Sequence, residues 1–312
     1  MRITEPGVYE MPAEEYHADP CPAPSLSASV GTLAVMQTPR HAWAAHPKLN
    51  PRYEPGEPTA VMEEGTALHA AILERRSIVV PVDAPDWRSK AAQEIRAKAR
   101  ADGMVAILAH RWEEIGHTAE AIRTALREHE VGDVFAAGAA ERVLAWQEET
   151  DFGPIWCRAR ADFLPDGLPD IADLKTTSAS AEPGRWGLRM DMDGRAFTAA
   201  WYLRGAAALK LQRHRYRFIV AETAAPNGVS VCELAPDLRA IAEQQVEEAI
   251  QAWGYGLHRG IWPCYPRLVV QIEAHGAALM RSEEKRARAE QIKRRPFAGG
   301  STHLAAERMP FA

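Results

Sequence analysis

The stretch RADFLPDGLPDIADLKTT, residues 160–177, sets four aspartates and one lysine in a hydrophobic framework. Residues 156–163 and 170–175 read as two strands, and LPDGLP between them is a turn sequence. Side chains alternate faces along a strand, so Asp173 and Lys175 point to one side. With the turn around Asp166-Gly167-Leu168, Asp162 falls opposite or diagonal to Asp173, roughly 4.5–8 Å away. Carboxylates so placed repel unless a cation sits between them. A hard divalent ion such as Mg²⁺ (or Mn²⁺) prefers carboxylate oxygens, and the backbone carbonyl of Leu174 offers a further ligand. Such an ion lowers the pKa of its water and polarises a phosphate oxygen, while Lys175 orients the nucleophile and stabilises developing charge. The competing reading is an ordinary surface salt bridge between Asp173 and Lys175, and spacing alone leaves both open. Asp166 and Asp170 are most simply turn formers.

Working outward, residues 139–149 read as a strand, with Glu141 at its start. RYRFIVAE and GVSVCEL form a second hairpin around Pro226-Asn227-Gly228. Helices are expected over 60–75, over 195–211, and from Pro236 to about His258. SLSASVGTLAVMQTPRHAW reads as a helix capped by Ser25 or Ser27 and ended by Pro39. Residues 88–130 read as two helical segments broken near Asp102-Gly103, and IVVPVDAPDW as a brief extended piece. Strands in the centre with helices before, between and after them predict an α/β (mixed α+β) fold with a central mixed sheet flanked by helices. Three parts are expected: an irregular segment at 1–24, one domain at 25–267, and a charged helical tail at 268–312 whose end, FAGGSTHLAAERMPFA, is mobile. The tail is either a solvated helix or an electrostatic grip on a partner.

Composition narrows the classes. Hydrophobic residues make up 46% and charged residues 25%, which supports a real core. No apolar run approaches the roughly 20 residues of a membrane span, and the first residues lack an apolar signal region, so no membrane partner and a cytoplasmic location are expected. The cysteines, Cys21, Cys157, Cys232 and Cys264, are far apart and make no zinc ribbon or iron–sulfur motif. A net charge of −5 argues against a generic polyanion binder but leaves room for an acidic metal site with local basic contacts.

Several segments together resemble the PD-(D/E)XK nuclease superfamily, and within it the RecE-like (exonuclease VIII) branch often carried by phages and prophages. These are SLSASVGTL…TPRHAW, EEGTALHAAILE, GPIWCRARADFLP…DIADLKTT, GRAFTAAWYLRG, RFIVAET and RGIWPCYP, in that order over about residues 25–267. The resemblance implies a restriction-endonuclease-like core. It makes Asp162 and Asp173 metal-binding acids, Lys175 the catalytic lysine, and His69 of the G-x-x-x-H helix a histidine that reaches the metal. Read from the residues alone, His69 on an apolar helical face is a core residue. Glu141 is a weaker candidate ligand, or else a solvated strand end. The sequence departs from the family pattern at Thr198, where relatives carry Gln one turn before the tyrosine matched by Tyr202, and at Arg195, where an aromatic residue is common. Arg195 and Arg160 are candidate DNA contacts, or the helix 195–211 merely packs through Ala199, Trp201 and Tyr202.

The resemblance implies a Mg²⁺- or Mn²⁺-dependent exonuclease that degrades one strand of duplex DNA from an end, 5′ to 3′. The remaining 3′ strand would pass to a single-strand annealing protein, and a homo-oligomeric ring would encircle the DNA. The alternative is a catalytically weak or inactive nuclease-like module that binds DNA or a partner. An enzyme acting on another phosphate ester is a third reading, though no Gly-rich phosphate-cradling loop is present.

Overall fold

A computed structural model describes residues 2–74, 78–188, 190, 192–274 and 276–294. The chain forms one compact unit up to Cys264 and a second that begins at Tyr265. The first unit is built on a mixed sheet in the order β1 (Gly7–Glu10), β5 (Gly138–Glu148), β6 (Ile155–Pro165), β7 (Asp170–Thr177), β8 (Arg215–Glu222), β9 (Val229–Cys232). A two-residue strand, β2 (Leu26–Ser27), pairs in parallel with β6 at Cys157 and Arg158. β7 and β8 are parallel. The chain crosses between them through α7 (Pro183–Gly187) and α8 (Arg195–Ala208). The other neighbours in the sheet are antiparallel. The mixed α/β architecture is therefore as the sequence predicts.

Each face of the sheet carries its own core. On one face lie α2 (Ala28–Met36), α8 and α9 (Pro236–Arg259), with Trp146, Phe197, Trp201, Phe218 and Trp253 fully buried beneath them. Indoles bury 150–250 Å² each and dominate such a core. Gly205 lets α8 sit directly on Trp146, because a Cβ there would meet the indole at 2.6 Å. On the other face lie α4 (Ala60–His69) and α6 (Ala109–Glu128), which cover Phe163, Ala172, Leu174, Ile219 and Ala221.

Several expectations need correction. Residues 1–24 are not irregular. β1 extends the sheet, with Val8 opposite Leu144, and α1 (Ala13–His17) packs Tyr16 with Val143, Ala145 and Trp156. The helix expected to be capped by Ser25 or Ser27 and to end at Pro39 is α2, capped by Ser27; Pro39 also starts a further short helix, α3 (Pro39–Ala44), from its first turn, a position that needs no N–H. Helix 60–75 changes to a π-turn at Ala70–Glu74. The break near Gly103 holds a strand, β4 (Val105–Leu108). It pairs in parallel with β3 (Val79–Val82) across α5 (Lys90–Ala101), making a small second sheet. A four-residue apolar run has no period that distinguishes strand from helix, and its partner is remote in sequence.

The second unit holds α10 (Gly276–Arg294). The mobile end expected after it lies outside the described residues. Among the described residues no helix is long and apolar enough to cross a membrane.

Candidate metal centre

The site forms where β6 loses its neighbours. On one side β6 pairs with β5 along its length except at Asp162, with Ala140 opposite Phe163 and Arg142 opposite Ala161. On the other side it pairs with β2 at Cys157 and Arg158 and with β7 only at Phe163. The edge between is open. Its carbonyls still need donors. The Trp201 Nε1–H donates to the Arg158 carbonyl at 3.0 Å, and the Tyr202 hydroxyl donates to the Arg160 carbonyl at 2.8 Å. Thus α8 supplies the two bonds that a neighbouring strand would have made.

Asp162 lies in this opening. The pairing of Phe163 with Ala172 sets Asp162 opposite Asp173. Asp162 Oδ2 accepts the Leu174 N–H at 3.1 Å, taking the place of a strand carbonyl and spreading β7 from β6. The N–H and C=O of a strand residue face the same way, so the Leu174 carbonyl also opens towards Asp162. On the β5 side the register sets Glu141 opposite Asp162, and this is the one position between Ala140 and Arg142 where the ladder is interrupted. Glu141 has φ 54°, in the left-handed region that side chains with a Cβ rarely adopt. The alternation of β6 changes at the same point. Ala159 and Ala161 belong to the core under α8, and Phe163 to the core under α4 and α6. Such a departure costs of order 1–3 kcal/mol and persists only where the surroundings enforce it.

His69 arrives from the other side. It is the last residue of α4, at the passage into the π-turn, a distortion common at functional positions. Its Nδ1 stands 3.9 Å from Asp162 Oδ2. His69, Glu141 and Asp162 each offer one ligand atom, and these atoms lie within 4.8 Å of one another. Two ligands on one Mg²⁺ are at most about 4.2 Å apart, twice a bond of ~2.1 Å, so small side-chain rotations close the group on an ion.

Asp173 and Lys175 stand on the α8 side of the same opening. Lys175 Nζ is 2.6 Å from Asp173 Oδ1. Asp173 is 3% exposed, and among the described residues its buried Oδ2 has no partner in good hydrogen-bond geometry. Burial pushes the Asp173 carboxyl up; Lys175 pulls it down and Asp162 pushes it up again, leaving it at about 7. Burial works against charge on Lys175, but Asp173 and Asp162 outweigh it and hold the ammonium above the usual lysine range. A buried carboxylate oxygen without a donor, beside two more carboxylates and an imidazole, is a donor set that fits a divalent cation.

The remaining candidates divide. Arg160 is 22% exposed, and its Nε lies 3.1 Å from Glu141 Oε2. Arg195 stacks on Trp186 at 4.7 Å, pairs with Asp193 at 3.1 Å, and is close enough for its charge to be felt by Lys175. Tyr202 is half-buried and fastens α8 to β6. Thr198 donates its hydroxyl to the Gly194 carbonyl of its own helix at 3.0 Å, so it does not replace the missing amide in the site. Sequence reasoning ranked Glu141 below Asp173 as a ligand, yet Glu141 joins the tight group and Asp173 stands beside it. The signal available was register: counting back along β5 from the β5–β6 turn puts Glu141 opposite Asp162.

No protein-family model matches the sequence, and no curated protein matches it. Among solved structures, the chain is similar to a candidate exonuclease from Eubacterium rectale, with 12% identity and a TM-score of 0.49 over 87% of this chain and 98% of that one. It is also similar to the protein SSO0001, with 10% identity and a TM-score of 0.33 over 76% of this chain and 80% of that one.

Proposed function

We propose that the protein is a divalent-metal-dependent deoxyribonuclease acting on duplex DNA. The observation that carries this reading is the grouping of His69, Glu141 and Asp162 within 4.8 Å, beside a buried Asp173 held by Lys175. Asp162, Glu141, His69 and Asp173 would hold the ion, with the Leu174 carbonyl as a further donor. The bound ion would supply an activated water and neutralise charge on the phosphate. Asp162 is oriented for this by the Leu174 N–H, and Glu141 by its left-handed backbone. Lys175 keeps its proton and offers a positive charge to the phosphate oxygen that becomes more anionic as the bond breaks. Arg195, stacked on Trp186, would hold a neighbouring phosphate.

The sequence resemblance extends the proposal to an exonuclease that works from DNA ends in the 5′ to 3′ direction. Its products would be 3′ strands for a single-strand annealing partner, and the working form a homo-oligomer.

End-labelled linear duplex and closed-circular duplex, each with Mg²⁺, Mn²⁺ or EDTA, test the reading. Metal-dependent loss of label from the linear form alone is the expected result. Cutting of the circle replaces the exonuclease with an endonuclease. Tight binding without cleavage under every condition replaces the enzyme with a binding module.

A further inference from the structure

Arg160, on β6, is held differently from two other partly buried arginines, Arg204 of α8 and Arg215 of β8. Arg204 grips Glu148 with two aligned bonds of 2.8 Å each. Arg215 reaches Asp170 through Nε at 2.6 Å. Arg160 Nε also has a carboxylate oxygen nearby, Glu141 Oε2 at 3.1 Å, but its N–H is not aligned on it and makes no hydrogen bond among the described residues. The contact is one of charge alone. Arg160 therefore sits at the edge of the acidic group as a neutralising cation rather than as a fixed structural strut. A divalent ion offers Glu141 twice that charge at bonding distance, and the same carboxylate belongs to the candidate ligand group.

Resting on the nuclease reading, we propose that Arg160 and the divalent ion compete for Glu141, so that metal binding frees Arg160 to hold a phosphate of the DNA strand. In the metal-free protein Arg160 offsets the repulsion among Glu141 and Asp162, which keeps the opening in β6 assembled. When the ion takes Glu141, the guanidinium is left partly exposed beside the site with its charge unbalanced, and a planar guanidinium suits a phosphate. DNA affinity is then coupled to metal loading: the protein grips its substrate firmly only when it is ready to cut it.

The test compares the full chain with Arg160→Gln and Arg160→Lys. By calorimetry without DNA, Arg160→Gln is expected to bind Mn²⁺ about three- to tenfold more tightly than the parent, the scale of one lost competing charge pair. Arg160→Lys, which keeps the charge, should stay near the parent. Unchanged or weaker Mn²⁺ binding by a folded Arg160→Gln overturns the competition. A second arm uses Lys175→Met to prevent cleavage and measures duplex binding by anisotropy. Adding Arg160→Gln should weaken binding at least fivefold with Mn²⁺ and less than twofold in EDTA. Equal losses under both conditions overturn the coupling. The metal arm needs no DNA, so a parent protein that fails to cut removes the nuclease reading without touching the competition result.

Discussion

Asp162 accepts the Leu174 N–H at 3.1 Å, so one carboxylate both replaces a sheet hydrogen bond and serves the candidate metal group. The two roles are separable. Asp162→Asn retains an oxygen acceptor and should keep the fold within about 1 kcal/mol while losing cleavage by at least a hundredfold. Asp162→Ala leaves the Leu174 N–H without a partner and should cost about 1–3 kcal/mol as well. Urea unfolding of the two variants in EDTA, beside an activity assay, separates them; equal stability losses would show that the hydrogen bond contributes nothing.

The position of the Asp173 carboxyl at about 7, well above its ordinary 3.8, fixes a pH dependence. A group raised in the folded state contributes stability that is complete below about 3.8 and is lost as pH rises through 7. The metal-free protein is thus weakened by this residue at pH 8, and Asp173→Asn should raise its melting temperature there while abolishing cleavage. A cation needs the ionised form, so Mn²⁺ affinity should climb as pH rises towards 7 and level off above it. Calorimetry in buffers of different ionisation enthalpy should show proton release on binding at pH 6.5. Absence of both effects would mean that Asp173 is not coupled to the ion.

Asp19 titrates in the opposite sense. It is buried, and it accepts from the Ser25 N–H at 2.9 Å and the Ser25 hydroxyl at 2.6 Å, with His46 at 3.2 Å and Arg158 at 3.4 Å. Burial pushes its carboxyl up, but His46, Arg158 and Ser25 together hold it at about 2. Its contribution is present above the ordinary value of 3.8 and is lost as pH falls through 2. Asp19→Asn should cost about 2 kcal/mol at pH 7 and flatten the acid limb of the stability curve between pH 4 and 2. Denaturant titrations at several pH values read this directly.

Thr198 and Tyr202 should behave unequally although they lie one helical turn apart. The Thr198 hydroxyl is used within its own helix, so Thr198→Ala should alter cleavage less than twofold. Tyr202→Phe leaves the Arg160 carbonyl without a donor at the open edge of β6 and should cost about 1–2 kcal/mol, with a lower kcat from a loosened Asp162. A large effect at Thr198 with none at Tyr202 would reverse this assignment.

The choice of ion follows from the mixed ligands. Imidazole is a better ligand for Mn²⁺ than for Mg²⁺, whereas carboxylates suit both. His69→Ala should therefore lower activity with Mn²⁺ more than with Mg²⁺, so that the Mn²⁺-to-Mg²⁺ activity ratio falls below that of the parent. An equal loss with both ions would place His69 outside the coordination sphere.

The hairpin was legible because its signals are local. LPDGLP supplies the turn, and the alternation in DIADLK fixes which side chains share a face. The parallel pairing of β7 with β8 follows from a helix between two strands. What escaped depends on remote or backbone terms. GVYE is too short to announce a strand, and its partner lies more than 130 residues away, as with Gly7 and Ala145. The four residues of β4 were absorbed into neighbouring helices for the same reason. Nothing in the letters AAERV signals that Glu141 takes a left-handed backbone, since that conformation is imposed by the opening beside it. His69 could be placed near the acids only through the family pattern, because a helix says nothing about which distant strand it will meet.

The amino-terminal two dozen residues also carry a practical consequence. β1 shields the outer edge of β5, and Asp19 answers the charge of Arg158 inside the protein. A shortened version beginning at Ser25 would bare a sheet margin suited to sticking to its neighbours and would strand a cation in the interior. Insolubility of such a fragment would therefore reveal nothing about the chemistry, and any purification handle belongs on a sequence that keeps these residues intact.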